Sequence, residues 1–254
     1  MTRKRIAQIL VKYLPKSIYK RIGILFGFIK RPSVSYSLYG EDLVIGHLFN
    51  ELGIVNGVYV DIGSFHPKWI SNTHLLATSG WRGVAVDIDK FKTDLFSRYR
   101  NDCHSITAAV TAAHGSDTVK VYCFDRLLSE WDTLSLEEAE LRRSTWGVEF
   151  EEYSIQTIGI NDVLKASGSN SIDYLNIDIE GIDEDLIHAI DFELYAIKCI
   201  QFENNHIFKG SLSVREKLVE VGFEHYATMG GTHTYVQRTL LKTSGDTHPE
   251  KVNL

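Results

Sequence analysis

Three clusters of polar residues follow short apolar runs and carry groups that chemistry needs. Asp61-Ile62-Gly63-Ser64-Phe65-His66-Pro67 sets a carboxylate and a glycine at the close of one run, and the glycine allows the backbone to turn sharply against a ligand. About 24 residues beyond that glycine a second run ends in Asp87-Ile88, where an acid is suited to accept hydrogen bonds from a ribose diol. Asn176-Ile177-Asp178-Ile179-Glu180-Gly181 places two carboxylates on one face of an extended segment. Phe202-Glu203-Asn204-Asn205-His206 adds a further carboxylate and a histidine. Carboxylates gathered in this way are costly unless water, a cation or a substrate hydroxyl satisfies them. The plainer alternative is that Asp61 and Asp87 hold turns, and that Asp178 and Glu180 cap the helix that follows them.

The first loop holds one glycine, Gly63, where a dinucleotide fingerprint needs G-x-G-x-x-G. It is poorly made to cradle a pyrophosphate, which disfavours NAD and FAD. A nucleoside without phosphates, such as S-adenosylmethionine, suits it better.

These clusters need elements to position them, and the chain alternates β-rich and helical runs in the manner of an α/β sheet. A helix fits residues 41–52, stopped by Gly53. Strands are expected at 58–62, 83–88, 104–110, 172–178 and 197–203, with helices near 72–79, 90–99, 184–190 and 213–221. Residues 111–160 are less regular. Two β-rich pieces, 118–124 and 153–158, surround an acidic helical stretch near 135–143, which reads as an insertion or lid. Two last strands, 223–228 and 232–237, flank Gly230-Gly231 as a hairpin. Five parallel strands and a C-terminal antiparallel hairpin make a Rossmann-like sheet, which binds ligands beyond the carboxyl ends of its strands. The polar clusters lie at those ends. Trp81 and the cysteines read as core.

Five short motifs, in register from about residue 35 to 236, resemble the FkbM-type S-adenosylmethionine-dependent methyltransferases. Ser37-Leu38-Tyr39-Gly40-Glu41-Asp42 is similar to that family's S-Q-x-G-E-D, with Leu38 in place of glutamine. Val60-Asp61-Ile62-Gly63-Ser64-Phe65-His66-Pro67, followed by Ser71-Asn72-Thr73, resembles V-D-I-G-A-x-H-P and S-N-T. Gly80-Trp81-Arg82-Gly83-Val84-Ala85-Val86-Asp87 resembles G-W-x-G-x-x-I-D. Ile177-Asp178-Ile179-Glu180-Gly181 resembles I-D-V-E-G, and Phe202-Glu203-Asn204 the closing I-E-x. Ala108-Ala109-Val110-Thr111-Ala112 lacks the Asn and Asp of the family's N-x-A-V-S-D.

The resemblance implies a class I methyltransferase fold and transfer of a methyl group from S-adenosylmethionine to a hydroxyl oxygen. The acceptor it implies is a saccharide in glycan, glycolipid or natural-product assembly. Asp61, Gly63, Ser64, Asp87 and Ile88 would hold the cofactor, with Glu41 and Tyr39 as candidates to close over it. An N-cap role for the Glu41 neighbourhood is the alternative. His66 is the first candidate for base or substrate anchor, against a structural histidine beside Pro67. Asp178 is the second, with Glu180 orienting it. Asn72, Glu203 and His206 are candidates for the acceptor, His206 being equally readable as plain surface. No metal is assigned; a rival mechanism sets magnesium on Asp178, Glu180, Glu203 or His66. Two rival functions are a nucleotide-dependent sugar-modifying oxidoreductase or epimerase, which the single Gly63 counts against, and a non-catalytic module on the same fold.

Composition bounds the rest. The chain has 254 residues, 44% hydrophobic and 24% charged, which suits one globular domain and excludes disorder and disulfide scaffolds. Three cysteines (Cys103, Cys123, Cys199), with no CxxC, favour a reducing compartment. The net charge of −6 hides an asymmetry. Residues 1–40 hold nine Lys and Arg and no acid, whereas the remainder carries 18 basic and 33 acidic residues. The longest uncharged apolar run in the basic arm, 22–29, is eight residues against the roughly 20 that span a bilayer.

Residues 1–35 therefore read as a basic amphipathic arm ahead of a methyltransferase domain at 36–238 and a polar tail at 239–254. The arm suits an anionic membrane interface or packing on its own domain or a second copy. Nucleic acid is disfavoured, because a body at −15 repels phosphate. The expected setting is cytoplasmic, peripheral to the inner membrane face, with a small-molecule or lipid-linked saccharide acceptor.

Overall fold

The structure is a computed structural model and describes residues 13, 15, 18, 33–113, 117–124, 129, 131–179, 183–203 and 211–243. The chain divides into two units, Met1–Val34 and Ser35–Leu254, and the elements below belong to the second. Most of the basic arm, together with Glu180, His206 and the tail beyond 243, lies outside the described residues.

A parallel strand buried on both faces reads as a nearly continuous apolar run, and β1 (Val58–Ile62), apolar but for Asp61, is buried at every position. It pairs in parallel with β2 (Arg82–Asp87) on one side and β7 (Ser171–Ile177) on the other. Outward from β2 runs β3 (Cys103–Thr107), and outward from β7 runs β8 (Ala196–Glu203). The hairpin of β9 (Phe223–Met229) and β10 (Thr232–Gln237) completes the sheet. Only β10 runs against its neighbours, and the order is β3-β2-β1-β7-β8-β10-β9. The order turns outward in both directions from β1 and β7, which opens a crevice at their carboxyl ends.

Helices cover both faces. Val60, Ile62, Val84, Val86 and Leu175 pack with Ile160 and Leu164 of α5 (Ile160–Ala166), Leu186 of α6 (Asp183–Ala189) and Val214 and Leu218 of α7 (Ser211–Glu220). On the other face Tyr59, Tyr174, Cys199 and Val236 meet Ile45, Leu48 and Phe49 of α1 (Glu41–Glu51) and Leu76 of α2 (His74–Thr78). Trp81 joins that cluster, its ring 4.6 Å from Phe49, so it is core. Between β2 and β3 lies α3 (Lys90–Tyr99), capped by the Asp89 carboxylate, which accepts the Phe91 N–H at 2.7 Å.

The expected third strand at 104–110 is divided. Ala108 donates its N–H to Asp87 O at 3.1 Å, and the chain leaves the main sheet there. Beyond it, β4 (Ala109–Thr111) pairs with β6 (Phe150–Gly159), which also pairs antiparallel with β5 (Thr118–Phe124). The irregular region is thus a second sheet of three strands with its own helix, α4 (Leu136–Trp146), and a small core of Tyr122, Phe124 and Ala139. Residues 239–243, assigned to a polar tail from the sequence, belong to α8 (Arg238–Thr243), and Leu240 and Leu241 pack on the α1 side of the core.

Candidate functional site

A cleft of about 160 Å³ opens at the carboxyl ends of β1, β2, β7 and β8. Asp61, Gly63, Ser64, Asn72, Asp87, Ile88, Asp178 and Glu203 line it, so the sheet gathers eight of the residues singled out by type and spacing. Leu38, Lys92, Asp132, Thr133 and Asn176 line it as well.

Gly63 makes the floor. Its φ is +82°, and a Cβ there would stand 1.7 Å from the carbonyl oxygen of Asp178. Only glycine lets the β1 loop pass so close to the β7 loop. Backbone bonds hold the crossing: Gly63 N–H donates to Val86 O at 2.9 Å, and Asp178 N–H donates to Ile62 O at 2.9 Å.

Asp61 is the hub beside it. It is 3% exposed, accepts the Thr73 hydroxyl at 2.7 Å and accepts the Asn176 amide at 2.9 Å. Burial raises its carboxyl above the usual range, and the bonds from Thr73 and Asn176 pull it back. Asn176 in turn accepts the Asn72 amide at 3.3 Å. This chain of hydrogen bonds ties three segments around one carboxylate.

Asp87 ends β2 and is 6% exposed. Burial pushes its carboxyl up to about 6, against the opposing pull of the Lys92 ammonium and the Asp89 N–H. Lys92 is equally buried. Its Nζ stands 3.7 Å from Asp87 and 3.7 Å from Asp132, donates to Ser129 O at 2.7 Å and lies 5.2 Å from the centre of the Phe65 ring. Tyr153 of β6 donates its hydroxyl to Ile88 O at 3.2 Å. The second sheet is therefore docked on the cofactor side of the cleft through buried polar bonds.

Three described candidates, His66, Glu41 and Tyr39, are absent from the cleft lining. His66 Nδ1 accepts the N–H groups of Lys68 and Trp69 at 3.1 and 3.0 Å, and its ring stacks on Trp69 with centroids 4.5 Å apart. Burial lowers its pKa and the neighbouring His74 lowers it further. Glu41, 4% exposed, lies at the start of α1 and accepts the Tyr39 N–H at 2.8 Å, which folds the segment before the helix rather than reaching the cleft.

Sequence reasoning missed Lys92, Asp132 and the roles of Thr73 and Asn176. Lys92 had a signal: it shares the buried face of α3 with Thr93 and Phe96, and a lysine at a core position calls for an acid. It also missed Arg100, 5% exposed, which donates to Pro67 O at 3.0 Å and so anchors the β1 loop from beneath. Among the described residues no group of three His, Cys, Asp or Glu side chains is placed to hold a metal ion.

The strand order with its single reversed strand among the described residues, and a crevice ending in a glycine turn and a buried acid, are those of a Rossmann-like α/β sheet. The Methyltransferase FkbM domain matches residues 61–225, about two thirds of the chain, and the chain belongs to that family. No curated protein matches it. Among solved structures it is similar to the METTL16 MTase domain (12% identity, 80% of this chain and 69% of that one, TM-score 0.43). It is also similar to cofactor-bound Rv0187 from MTB (11%, 82% and 84%, TM-score 0.42). A third is the Burkholderia thailandensis 1,6-didemethyltoxoflavin-N1-methyltransferase with 1,6-didemethyltoxoflavin and S-adenosylhomocysteine bound (11%, 78% and 76%, TM-score 0.39).

The residues present fit the cofactor. Among the described residues the Ser64 hydroxyl is buried at the cleft with no hydrogen-bond partner, so a polar ligand atom is wanted there. Ser64, the Gly63 turn, Asp87 and Ile88 would hold it. When bound, S-adenosylmethionine supplies a methyl group on a sulfonium, open to in-line attack.

Proposed function

We propose that this enzyme methylates a hydroxyl oxygen, that the acceptor is a saccharide, free or lipid-linked, and that Asp178 is the base. The observation that carries the reading is Asp178 on the cleft wall with its main chain locked: its N–H is bonded to Ile62 O and its carbonyl lies against Gly63. A base must stand within hydrogen-bond reach of the proton it takes, and a fixed main chain restricts where this carboxylate can go.

A hydroxyl is too weakly acidic to ionise alone at neutral pH, so Asp178 would accept its proton as the O–C bond forms and the methyl–sulfur bond of the donor breaks, with S-adenosylhomocysteine as the leaving group. Glu203, at the end of β8, and Asn72 line the same cleft. Two carboxylates and an amide offer the acceptors and donors that a polyhydroxylated ligand uses. His66 fits the base role poorly, because its unprotonated nitrogen is already taken by two backbone donors.

The test is methyl transfer to a panel of saccharides and lipid-linked saccharides, with Asp178→Asn beside the wild type. The expected result is a kcat lower by about 10²–10⁴ with unchanged affinity for S-adenosylhomocysteine. Full kcat in that variant would remove Asp178 as the base. Transfer to nitrogen acceptors alone would remove the hydroxyl.

A further inference from the structure

Among the described residues that line the cleft two are exposed, Leu38 at 58% and Ile70 at 38%, and both are aliphatic. The fold explains neither. Ile70 has a left-handed backbone, φ +51°, which a β-branched residue adopts at a cost and which glycine or asparagine adopts readily. An isoleucine there gains neither full burial nor an easy backbone, so what it offers is its side chain at the edge of the cleft. Leu38 stands where the family's opening motif carries glutamine.

The chain that presents them is held firmly. The Asp42 carboxylate, in the first turn of α1, is fully buried. It accepts the Ser35 and Ser37 hydroxyls at 2.7 and 2.9 Å and the Tyr36 N–H at 2.8 Å. Tyr36 O accepts the Ser71 N–H at 2.9 Å, which ties the segment of Leu38 to the loop of Ile70. The cleft therefore has two characters. Asp178, Glu203 and Asn72 bring polar groups to it, and Leu38 and Ile70 give it an apolar edge. A free saccharide carries hydroxyls over most of its surface and leaves that edge in water, whereas a saccharide joined to an alkyl chain matches both parts.

We infer that Leu38 and Ile70 seat an apolar chain on the acceptor, so that the enzyme takes a lipid-linked saccharide in preference to a free one. The inference rests on the reading of the acceptor as a saccharide hydroxyl and narrows it to acceptors that carry a chain.

The experiment is methyl transfer by the full chain to glucose, galactose, mannose, rhamnose and N-acetylglucosamine, each as its methyl and its octyl glycoside below the micelle concentration. The readout is the ratio of kcat/KM for the octyl and methyl forms on one protein sample, so partial loss of fold in a variant cancels. The wild type is expected to favour the octyl form by about tenfold or more, a factor that burial of about two methylene groups supplies. Leu38→Gln and Ile70→Asn are each expected to lower that ratio by about threefold or more. Ile70→Asn is expected to do so with no loss of stability in urea, because asparagine tolerates the left-handed backbone. Leu194→Gln, at an exposed leucine just before β8 and so at the end of that strand away from the cleft, is expected to leave the ratio unchanged. Equal kcat/KM of the wild type for the two forms overturns the chain seat alone. So does an octyl preference that survives in both cleft variants, which would place the chain elsewhere on the protein. A panel in which no saccharide accepts the methyl group in either form overturns the saccharide reading and this inference with it.

Discussion

At the scale of single residues the site depends on one missing side chain. Gly63 and Gly53 both have left-handed backbones, φ +82° and +65°, but nothing lies within 4 Å of a Cβ at Gly53, whereas the Asp178 carbonyl would be struck at Gly63. Gly53→Ala therefore bears the conformational cost alone, about 1 kcal/mol. Gly63→Ala must also separate the β1 and β7 loops, and is expected to cost about 3 kcal/mol or more. Urea unfolding of the two variants measures the difference. Equal losses would mean that the two loops part easily, and that the crossing is not what shapes the cleft.

At the scale of elements, the strands around the site were legible because burial on both faces leaves largely apolar runs, as at 58–62, interrupted only by Asp61, and at 172–177, interrupted by Asp173 and Asn176. The run at 104–110 misled for the same reason. It is apolar at its end because Ala108, Ala109 and Val110 are buried, but they are buried where the chain changes sheets, a tertiary event with no local mark. Helix α5 escaped because its N-cap, Gly159, is extended and makes no side-chain cap bond, so no capping residue announces it.

The site divides in the same way. Asp61, Asp87 and Asp178 stood out as acids following apolar runs. Their partners did not, since Asn176 meets Asp61 across 115 residues, through the pairing of β1 with β7. His66 had the right chemistry for a base, and only its hydrogen bonds show its nitrogen already engaged.

At the scale of the whole molecule, charge separates the arm from the body. Residues 1–40 carry +9 and the remainder −15. Among the described residues no helix is long and apolar enough to cross a membrane. We propose that residues 1–35 bring the enzyme to an anionic bilayer surface, where each cation near the headgroups contributes about 1 kcal/mol. The full chain is then expected to co-sediment with anionic vesicles and to be released by salt, while the chain lacking residues 1–34 stays in the supernatant. Equal pelleting of the two proteins would assign the arm to other work.

We propose that the cleft grips an adenosyl ligand through Asp87, whose carboxyl burial pushes up to about 6. Ribose hydroxyls donate to the ionised form, so binding strengthens as pH rises through 6 and weakens below it. Calorimetric titration with S-adenosylhomocysteine at pH 7.5 and pH 5 tests this most directly. The wild type is expected to bind at pH 7.5 and about tenfold more weakly at pH 5, where about a tenth of the Asp87 carboxyl is ionised. Asp87→Asn is expected to bind at least about tenfold more weakly at pH 7.5, with little change between the two pH values. No binding by the wild type, or an Asp87→Asn variant that binds as tightly, would contradict it.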